Sequence, residues 1–247
     1  MQKIVAGADG VFHLAALPRV AYSVADPLAT HQVNVLGTLQ VLLAARELGS
    51  VRVVLSSSSA VYGDQAVLPL VESMNPRPLS PYGLQKLESE HYCRLFSELY
   101  GVPTFALRYF NVYGPHMDPE GAYALVVGKF LRARQCGEPM PVCGDGEYFR
   151  EYIHVDDIVL ANIKAMESSR VGKGEVCNIG SERATSVNEL AQLIGGPVVH
   201  VPERPGDPRR SAASCRQARE LLGWQPRIPL EEGIQQMKKS WGITSGS

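Results

Sequence analysis

The chain has 247 residues, which is enough for one large domain or two small ones. Hydrophobic residues make up 45% of it and charged residues 20%, and this composition excludes disordered, collagen-like and fibrous chains. The formal net charge of -1 gives no indication of a nucleic-acid partner held by bulk electrostatics, so an anionic ligand would need local binding groups.

The five cysteines include no CxxC pair and have no histidine cluster beside them, which argues against a disulfide framework and a structural zinc site. The sequence contains no apolar run of membrane-spanning length, and Met1 is not followed by the pattern of a signal peptide. We therefore expect a cytoplasmic protein that uses neither a metal nor a membrane.

The first element that the sequence predicts is a short apolar strand at residues 11–14, after the turn residues Asp9 and Gly10. A helix is predicted over residues 27–48, because apolar residues recur there at helical spacing and a glycine follows. The β-branched run at residues 51–55 predicts the next strand, which opens into four serines at 56–59.

A second long helix is predicted over residues 82–100, with Pro81 in its first turn and Gly101 at its end. Residues 102–109 predict the strand that follows. Strands that alternate with helices of this length predict an α/β fold, in which a mostly parallel sheet is covered on both faces.

The pattern changes after residue 115, where the sequence predicts a smaller lobe rich in loops. Ser186 and Glu189 form a Ser-x-x-Glu capping box, which predicts the start of a helix. The other elements expected here are a turn at 144–146, a strand at 152–155 and helices at 158–167, 214–222 and 230–241.

Tyr82 and Lys86 stand four residues apart on the second predicted helix, so both side chains project from one face. An ammonium group beside a phenol favours the phenolate, which makes tyrosine usable as a general base. Ser58, 24 residues before Tyr82, ends a predicted parallel strand, where open α/β sheets place their ligands. The alternative is an ordinary surface pair, since a Tyr-x-x-x-Lys match alone has little specificity.

Several ordered motifs make this chain resemble the extended short-chain dehydrogenase/reductases, and more narrowly the nucleotide-sugar 4-epimerases. The motifs cover nearly the whole chain and are HLAA at 13–16, NVLGT at 34–38, SSSSAVYG at 56–63, YxxxK at 82–86, RYFN at 108–111, GDG at 144–146, REYIHVDD at 150–157, NIG at 178–180 and RPGD at 204–207.

The resemblance implies a Rossmann-like doubly wound sheet with a smaller α/β substrate lobe. Residues 1–115 would form a partial NAD-binding domain, with a returning segment near 150–168. Residues 116–149 and 169–247 would form the substrate-binding lobe.

The resemblance also implies roles for particular residues. Tyr82 would take the proton from the sugar 4-hydroxyl, Ser58 would hydrogen-bond the same oxygen, and Lys86 would tune Tyr82 and hold the nicotinamide ribose. Tyr82 and Lys86 would thus also bind NAD, together with Ala15, Ala16, Asn34, Ser56 and Tyr109. The residues implied for the nucleotide diphosphate and its ribose are Asn111, Arg150, Arg204 and Asp207. A homodimer is expected through the helices of residues 27–48 and 81–100.

Two positions bear on the reaction and the sugar. Dehydratases that resemble this chain carry an Asp-Glu pair where Ser59 and Ala60 stand, and neither residue here can move a proton at the sugar C5 and C6. Ser211 occupies a position where bulky residues in similar proteins narrow the sugar pocket. We therefore expect a 4-epimerase of UDP-glucose and UDP-N-acetylglucosamine, and a nucleotide-sugar dehydratase or decarboxylase is the less favoured alternative.

One expected motif is missing. Similar proteins open with a strand, a Gly-x-x-Gly-x-x-Gly turn and a helix that holds the pyrophosphate, whereas Gly7 and Gly10 precede the first predicted strand. We expect an N-terminally truncated chain, which alone would bind NAD poorly, have little or no epimerase activity and be prone to insolubility. This observation leaves open a second alternative, a non-catalytic chain that binds a sugar nucleotide or a protein partner.

Overall fold

The computed structural model describes residues 6–117, 126–203 and 209–243. Its strands are β1 (Gly10–His13), β2 (Arg52–Ser58), β3 (Thr104–Tyr109), β4 (Asn111–Tyr113), β5 (Met140–Cys143), β6 (Phe149–His154), β7 (Lys173–Ile179), β8 (Ala184–Ser186) and β9 (Val198–Val201). Its α-helices are α1 (Val20–Ala25), α2 (Pro27–His31), α3 (Gly37–Glu47), α4 (Pro81–Tyr100), α5 (Val126–Cys136), α6 (Val155–Glu167), α7 (Val187–Ile194), α8 (Arg216–Leu222) and α9 (Leu230–Ser240).

The chain divides into two compact units. The first comprises the described parts of Met1–Tyr109, Val159–Ile179 and Ser214–Gln225, and the second those of Phe110–Ile158, Gly180–Ala213 and Pro226–Ser247.

The first unit contains a four-stranded sheet in the order β1-β2-β3-β7, and all of its pairings are parallel. One face packs against α3 and α4, where Leu42, Leu55, Phe96 and Ala106 share a buried apolar cluster. This sheet confirms the predicted α/β class. The strand β7 belongs to it, although the sequence placed residues 169–247 in the other lobe. The apolar pattern of residues 173–179 alone does not reveal that they pair with strand residues 69 or 70 positions earlier in the chain.

The helix predicted over residues 27–48 is interrupted. Asp26 caps α2 by accepting the backbone N–H of Ala29 at 3.0 Å, and a π-helical turn over Gln32–Leu36 separates α2 from α3. The turn contains Asn34, whose carbonyl accepts hydrogen bonds from the Thr38 and Ser89 hydroxyls at 2.6 and 3.1 Å. Such single π turns are often found at functional sites.

The helix α4 begins and ends close to the predicted residues. The Ser80 hydroxyl accepts the backbone N–H of Gly83 at 3.1 Å, Pro81 occupies the first turn, and Gly101 adopts a left-handed conformation with φ of 66°. No helix among the described residues has the length and apolar character needed to cross a membrane.

The second unit has its own sheet, in which β6 pairs with β4 in parallel and with β8 in antiparallel orientation. A separate two-stranded sheet joins β5 to β9. The apolar core of the second unit includes Phe130, Met140, Tyr152, Leu190 and Met237. The predicted capping box is present, because Ser186 and Glu189 each bond the other's backbone N–H at the start of α7.

Candidate active site

The serine run lies at the carboxyl end of β2, as the sequence predicted. Ser56, Ser57 and Ser58 pair with Leu107, Arg108 and Tyr109 of β3. The Ser58 hydroxyl accepts the backbone N–H of Ala60 at 3.1 Å and starts a short 3-10 turn. Ser58 is therefore fixed by backbone contacts on both sides.

Tyr82 lies in the first turn of α4. Its backbone N–H donates to the Ser23 hydroxyl of α1 at 3.0 Å. The next residue, Gly83, packs so closely on the turn after Ser58 that a Cβ there would lie 2.6 Å from the Ala60 carbonyl oxygen. This close approach places Tyr82 beside the turn that Ser58 begins, and Ser58 is one of the groups that act on the pKa of Tyr82.

The phenol of Tyr82 is buried, and burial raises its pKa, while the Ser58 hydroxyl acts in the opposite direction. The expectation that Lys86 lowers this pKa toward neutrality is therefore not met by the protein groups described. Desolvation of the phenolate is the larger effect, because the Tyr82 side chain is buried.

Lys86 lies one helical turn after Tyr82 on the same face of α4. Its Nζ donates to the Ser56 carbonyl oxygen at 2.7 Å and lies 5.9 Å from the centre of the Tyr82 ring. Burial lowers the pKa of Lys86 to about 8, and the nearby carboxylate of Glu90 opposes this shift. The ammonium thus titrates close to physiological pH.

The other residues expected to bind NAD lie in the same unit. Ala15 and Ala16 follow β1, and the Asn34 side chain holds this segment by bonding the backbone N–H and carbonyl of Leu17 at 2.8 and 3.2 Å. Asn34 also donates to Gln85 Oε1 at 2.9 Å, so its amide group is largely engaged within the protein. Tyr109 ends β3, and its hydroxyl lies 2.9 Å from Asn162 Oδ1.

A buried polar group behind the site was missed from the sequence. Glu90 accepts a hydrogen bond from the Ser57 hydroxyl at 2.5 Å and binds Arg108 through two nitrogens at 2.9 and 2.7 Å. The signal was present in the spacing, because Glu90 follows Lys86 by four residues and so shares its helix face.

The second unit contains Asn111, Arg150 and Ser211, three of the residues expected to bind the nucleotide sugar. Asn111 Nδ2 donates to the Glu151 carbonyl at 2.8 Å, and Arg150 Nη1 donates to the Phe149 carbonyl at 2.9 Å. The backbone N–H of Ser211 also donates to Phe149, at 3.2 Å. Arg204 and Asp207 lie outside the described residues.

The buried carboxylate of Glu151 holds the backbone two residues after Ser211. It accepts the backbone N–H groups of Ala213 and Glu182. Burial raises the pKa of Glu151 to about 7, against the effect of these two hydrogen bonds.

Comparison with known proteins places this architecture in one family. The family model for the NAD-dependent epimerases and dehydratases matches residues 1–180. The UDP-glucose 4-epimerase of Mycolicibacterium smegmatis is 40% identical over 232 residues, which are 91% of this chain and 73% of that protein.

Two solved structures are also similar. The UDP-N-acetylglucosamine 4-epimerase of Methanobrevibacter ruminantium, in complex with UDP-N-acetylmuramic acid, has a TM-score of 0.93 and 38% identity over 98% of this chain and 79% of that one. The UDP-glucose 4-epimerase of Thermotoga maritima with UDP-glucose has a TM-score of 0.90 and 40% identity over 97% of this chain and 81% of that one.

Proposed function

The chain belongs to the NAD-dependent epimerase/dehydratase family, and we propose that it is a nucleotide-sugar 4-epimerase that acts on UDP-glucose and UDP-N-acetylglucosamine. The observation that carries this proposal is the grouping of Ser58, Tyr82 and Lys86 at the carboxyl end of a parallel sheet, where the start of α4 packs on the turn that Ser58 begins. The comparisons support a 4-epimerase, since the relatives named above carry that activity in their names.

In the proposed reaction, Tyr82 removes the proton from the sugar 4-hydroxyl and Ser58 hydrogen-bonds the same oxygen. Lys86, whose Nζ lies 5.9 Å from the centre of the Tyr82 ring, would favour the phenolate by its charge, although burial remains the larger effect on the pKa of Tyr82. Bound NAD would supply reversible hydride transfer at the sugar C4, and Lys86 would hold its nicotinamide ribose. The proton held by Tyr82 then returns to the oxygen, so the overall reaction is an isomerisation.

The described residues fit the nicotinamide end of NAD. Lys86 has three N–H donors, and the Ser56 carbonyl takes one of them, which leaves donors for ribose hydroxyls. The alanines at 15 and 16 leave room beside the sheet, and Ser56 and Tyr109 supply hydroxyl groups at neighbouring strand ends. We propose these residues and Asn34 as the cofactor-binding set, Asn34 acting mainly through the segment that it holds.

The residues after Ser58 favour epimerisation over dehydration. Ser59 and Ala60 occupy the short turn that follows β2. An elimination across C5 and C6 needs an acid and a base beside the catalytic hydroxyl, and these two side chains supply neither.

We propose that the second unit binds the nucleotide diphosphate through Asn111, Arg150, Arg204 and Asp207. A guanidinium group matches phosphate oxygens in geometry and charge. We propose Ser211 as the residue that leaves room for an N-acetyl group on the sugar. The Ser211→Tyr variant should lose turnover of UDP-N-acetylglucosamine and keep that of UDP-glucose, and equal turnover of both would contradict this role.

The function is tested with the purified 247-residue chain, NAD and UDP-glucose, with proton NMR of the C4 epimer as the readout. We expect Tyr82→Phe to lower the turnover of the unmodified chain by about 10²–10⁴-fold. Tyr100→Phe on the same helix is the control, since that side chain is exposed. Binding of UDP-glucose without turnover would favour the non-catalytic alternative.

We also propose that the chain forms a homodimer in the cytoplasm. Several apolar side chains of the α2–α3 segment and of α4 are exposed, among them Leu28, Leu36, Leu95 and Leu99. Exposed apolar patches of this kind mark interaction surfaces. Leu95→Arg should therefore convert the dimer to a monomer in sedimentation experiments, and a monomeric parent chain would contradict the assignment.

A further inference from the structure

Three ionisable side chains follow one another along a single face of α4. Tyr82, Lys86 and Glu90 are spaced by four residues, and all three are buried. Helical residues four apart are neighbours on the helix surface. Glu90 therefore lies one turn below Lys86, just as Lys86 lies one turn below Tyr82.

The Glu90 carboxylate has a fixed position. Arg108 of β3 binds both of its oxygens, through Nε at 2.9 Å and Nη2 at 2.7 Å, and the Ser57 hydroxyl donates to it at 2.5 Å. The Arg108 guanidinium also lies 4.8 Å from the centre of the Tyr62 ring. Helix α4 is thereby tied to β2 and β3 directly behind the proposed active site.

Glu90 reaches the catalytic groups by two routes. Ser57, which it binds, stands between Ser56, whose carbonyl accepts from Lys86 at 2.7 Å, and Ser58. The negative charge of Glu90 also acts on the Lys86 ammonium. It raises the pKa of Lys86, whereas burial lowers it. His13 of β1 also faces Lys86, but its own pKa lies at about 4, so it is neutral at the pH of interest.

We propose that Glu90 is a positioning residue of this enzyme, which keeps Lys86 in its charged form and fixes Ser57, and through it Ser58, at the end of β2. The roles of Ser58 and Lys86 rest on the proposed function. A purely structural buried ion pair can commonly be replaced by apolar residues without loss of stability. An apolar pair in place of Glu90 and Arg108 would not supply the negative charge next to the buried Lys86.

The test is a titration of Lys86 by NMR in the chain labelled with 13C at the lysine Cε, with the Lys86 resonance assigned from the Lys86→Met variant. In Glu90→Gln the midpoint should fall by about one pH unit or more, the size of shift that a nearby opposite charge produces. The control is Glu98→Gln, which makes the same change at an exposed position of the same helix and should leave the midpoint unchanged.

Two further variants separate charge from folding. Glu90→Asp keeps the charge and should keep the midpoint. Glu90→Gln combined with Arg108→Gln removes the whole ion pair, leaves neither of its partners as an unpaired charge, and should still lower the midpoint. A midpoint that stays at the parent value in both neutral variants would overturn the proposal.

The proposed function fails separately from this inference. The NMR titration needs neither NAD nor a sugar nucleotide, so a lowered midpoint in a chain that does not turn over UDP-glucose would support Glu90 and contradict the epimerase assignment. If turnover occurs, the alkaline limb of its pH profile should move with the Lys86 midpoint in Glu90→Gln and stay in place in Glu98→Gln.

Discussion

The contact between Gly83 and the turn after Ser58 gives the most direct test of the site geometry. In Gly83→Ala, the new Cβ would lie 2.6 Å from the Ala60 carbonyl oxygen and 3.1 Å from Pro78 Cβ. A carbon and a carbonyl oxygen approach each other to about 3.3 Å. The start of α4 would therefore have to move away from the turn by about 0.7 Å.

The expected effects on stability and activity differ in size. Alanine in a helix is about 1 kcal/mol more favourable than glycine, and overpacking costs about 1–3 kcal/mol, so the net loss of stability lies between about 0 and 2 kcal/mol. Turnover is more sensitive, because a misplacement of about 1 Å can reduce a rate by about 10²-fold. We expect turnover to fall at least about tenfold, since the shift separates Tyr82 from Ser58.

The assay combines urea unfolding with the NMR measurement of epimerisation. Gly101→Ala is the matched control at the other end of α4, where φ is 66° and nothing lies within 4 Å of the added Cβ. It should cost about 1–2 kcal/mol of stability, because alanine is strained in the left-handed region, and it should leave turnover unchanged. If Gly83→Ala keeps full turnover, the close contact does not position Tyr82 and the argument is wrong.

Two buried titratable groups predict opposite dependences of stability on pH. His13 has a folded pKa of about 4, below the unfolded value, so its contribution is lost as pH falls from about 6.5 to 4. In the parent chain, His13 should lower the free energy of unfolding by about 3 kcal/mol as pH falls across that window, and His13→Gln should abolish this decrease. Urea unfolding measures it, and a decrease of the same size in the variant would contradict the burial argument. Glu151 has a folded pKa of about 7, above the unfolded value, so its contribution is present below pH of about 4.5 and is lost as pH rises through 7. Glu151→Gln should therefore flatten the decline in stability between pH of about 4.5 and 7 relative to the parent chain, and an equally steep decline would show that Glu151 does not titrate there.

The sequence predicted those features that depend on local signals. Gly101 ends α4 because it alone enters the left-handed region without strain, and the Ser186–Glu189 capping box satisfies free N–H groups within one turn. The spacing of Tyr82 and Lys86 likewise needed only the helix period. These interactions are complete within a few residues, so the sequence contains everything that decides them.

The features that the sequence did not predict depend on distant partners. The helix at 27–48 is interrupted where Asn34 reaches the backbone of Leu17, a contact across 17 residues. The role of Glu90 depends on its hydrogen bonds with Arg108 and Ser57, which lie on two other elements. The pKa of Tyr82 also differed from expectation, because burial is a property of the whole fold and the pairwise spacing with Lys86 contains no information about it.

The environment of Tyr82 and Lys86 explains why each needs a further partner. Burial disfavours charge on both groups, so it raises the pKa of the phenol and lowers that of the ammonium. A base that works near neutral pH needs both shifts to be opposed. The Ser58 hydroxyl opposes the first and the Glu90 charge opposes the second. Because Glu90 also binds Ser57, the neighbour of Ser58 in β2, both corrections depend on the same contact between α4 and β2. A change that separates α4 from β2 should therefore disfavour the charged forms of both Tyr82 and Lys86.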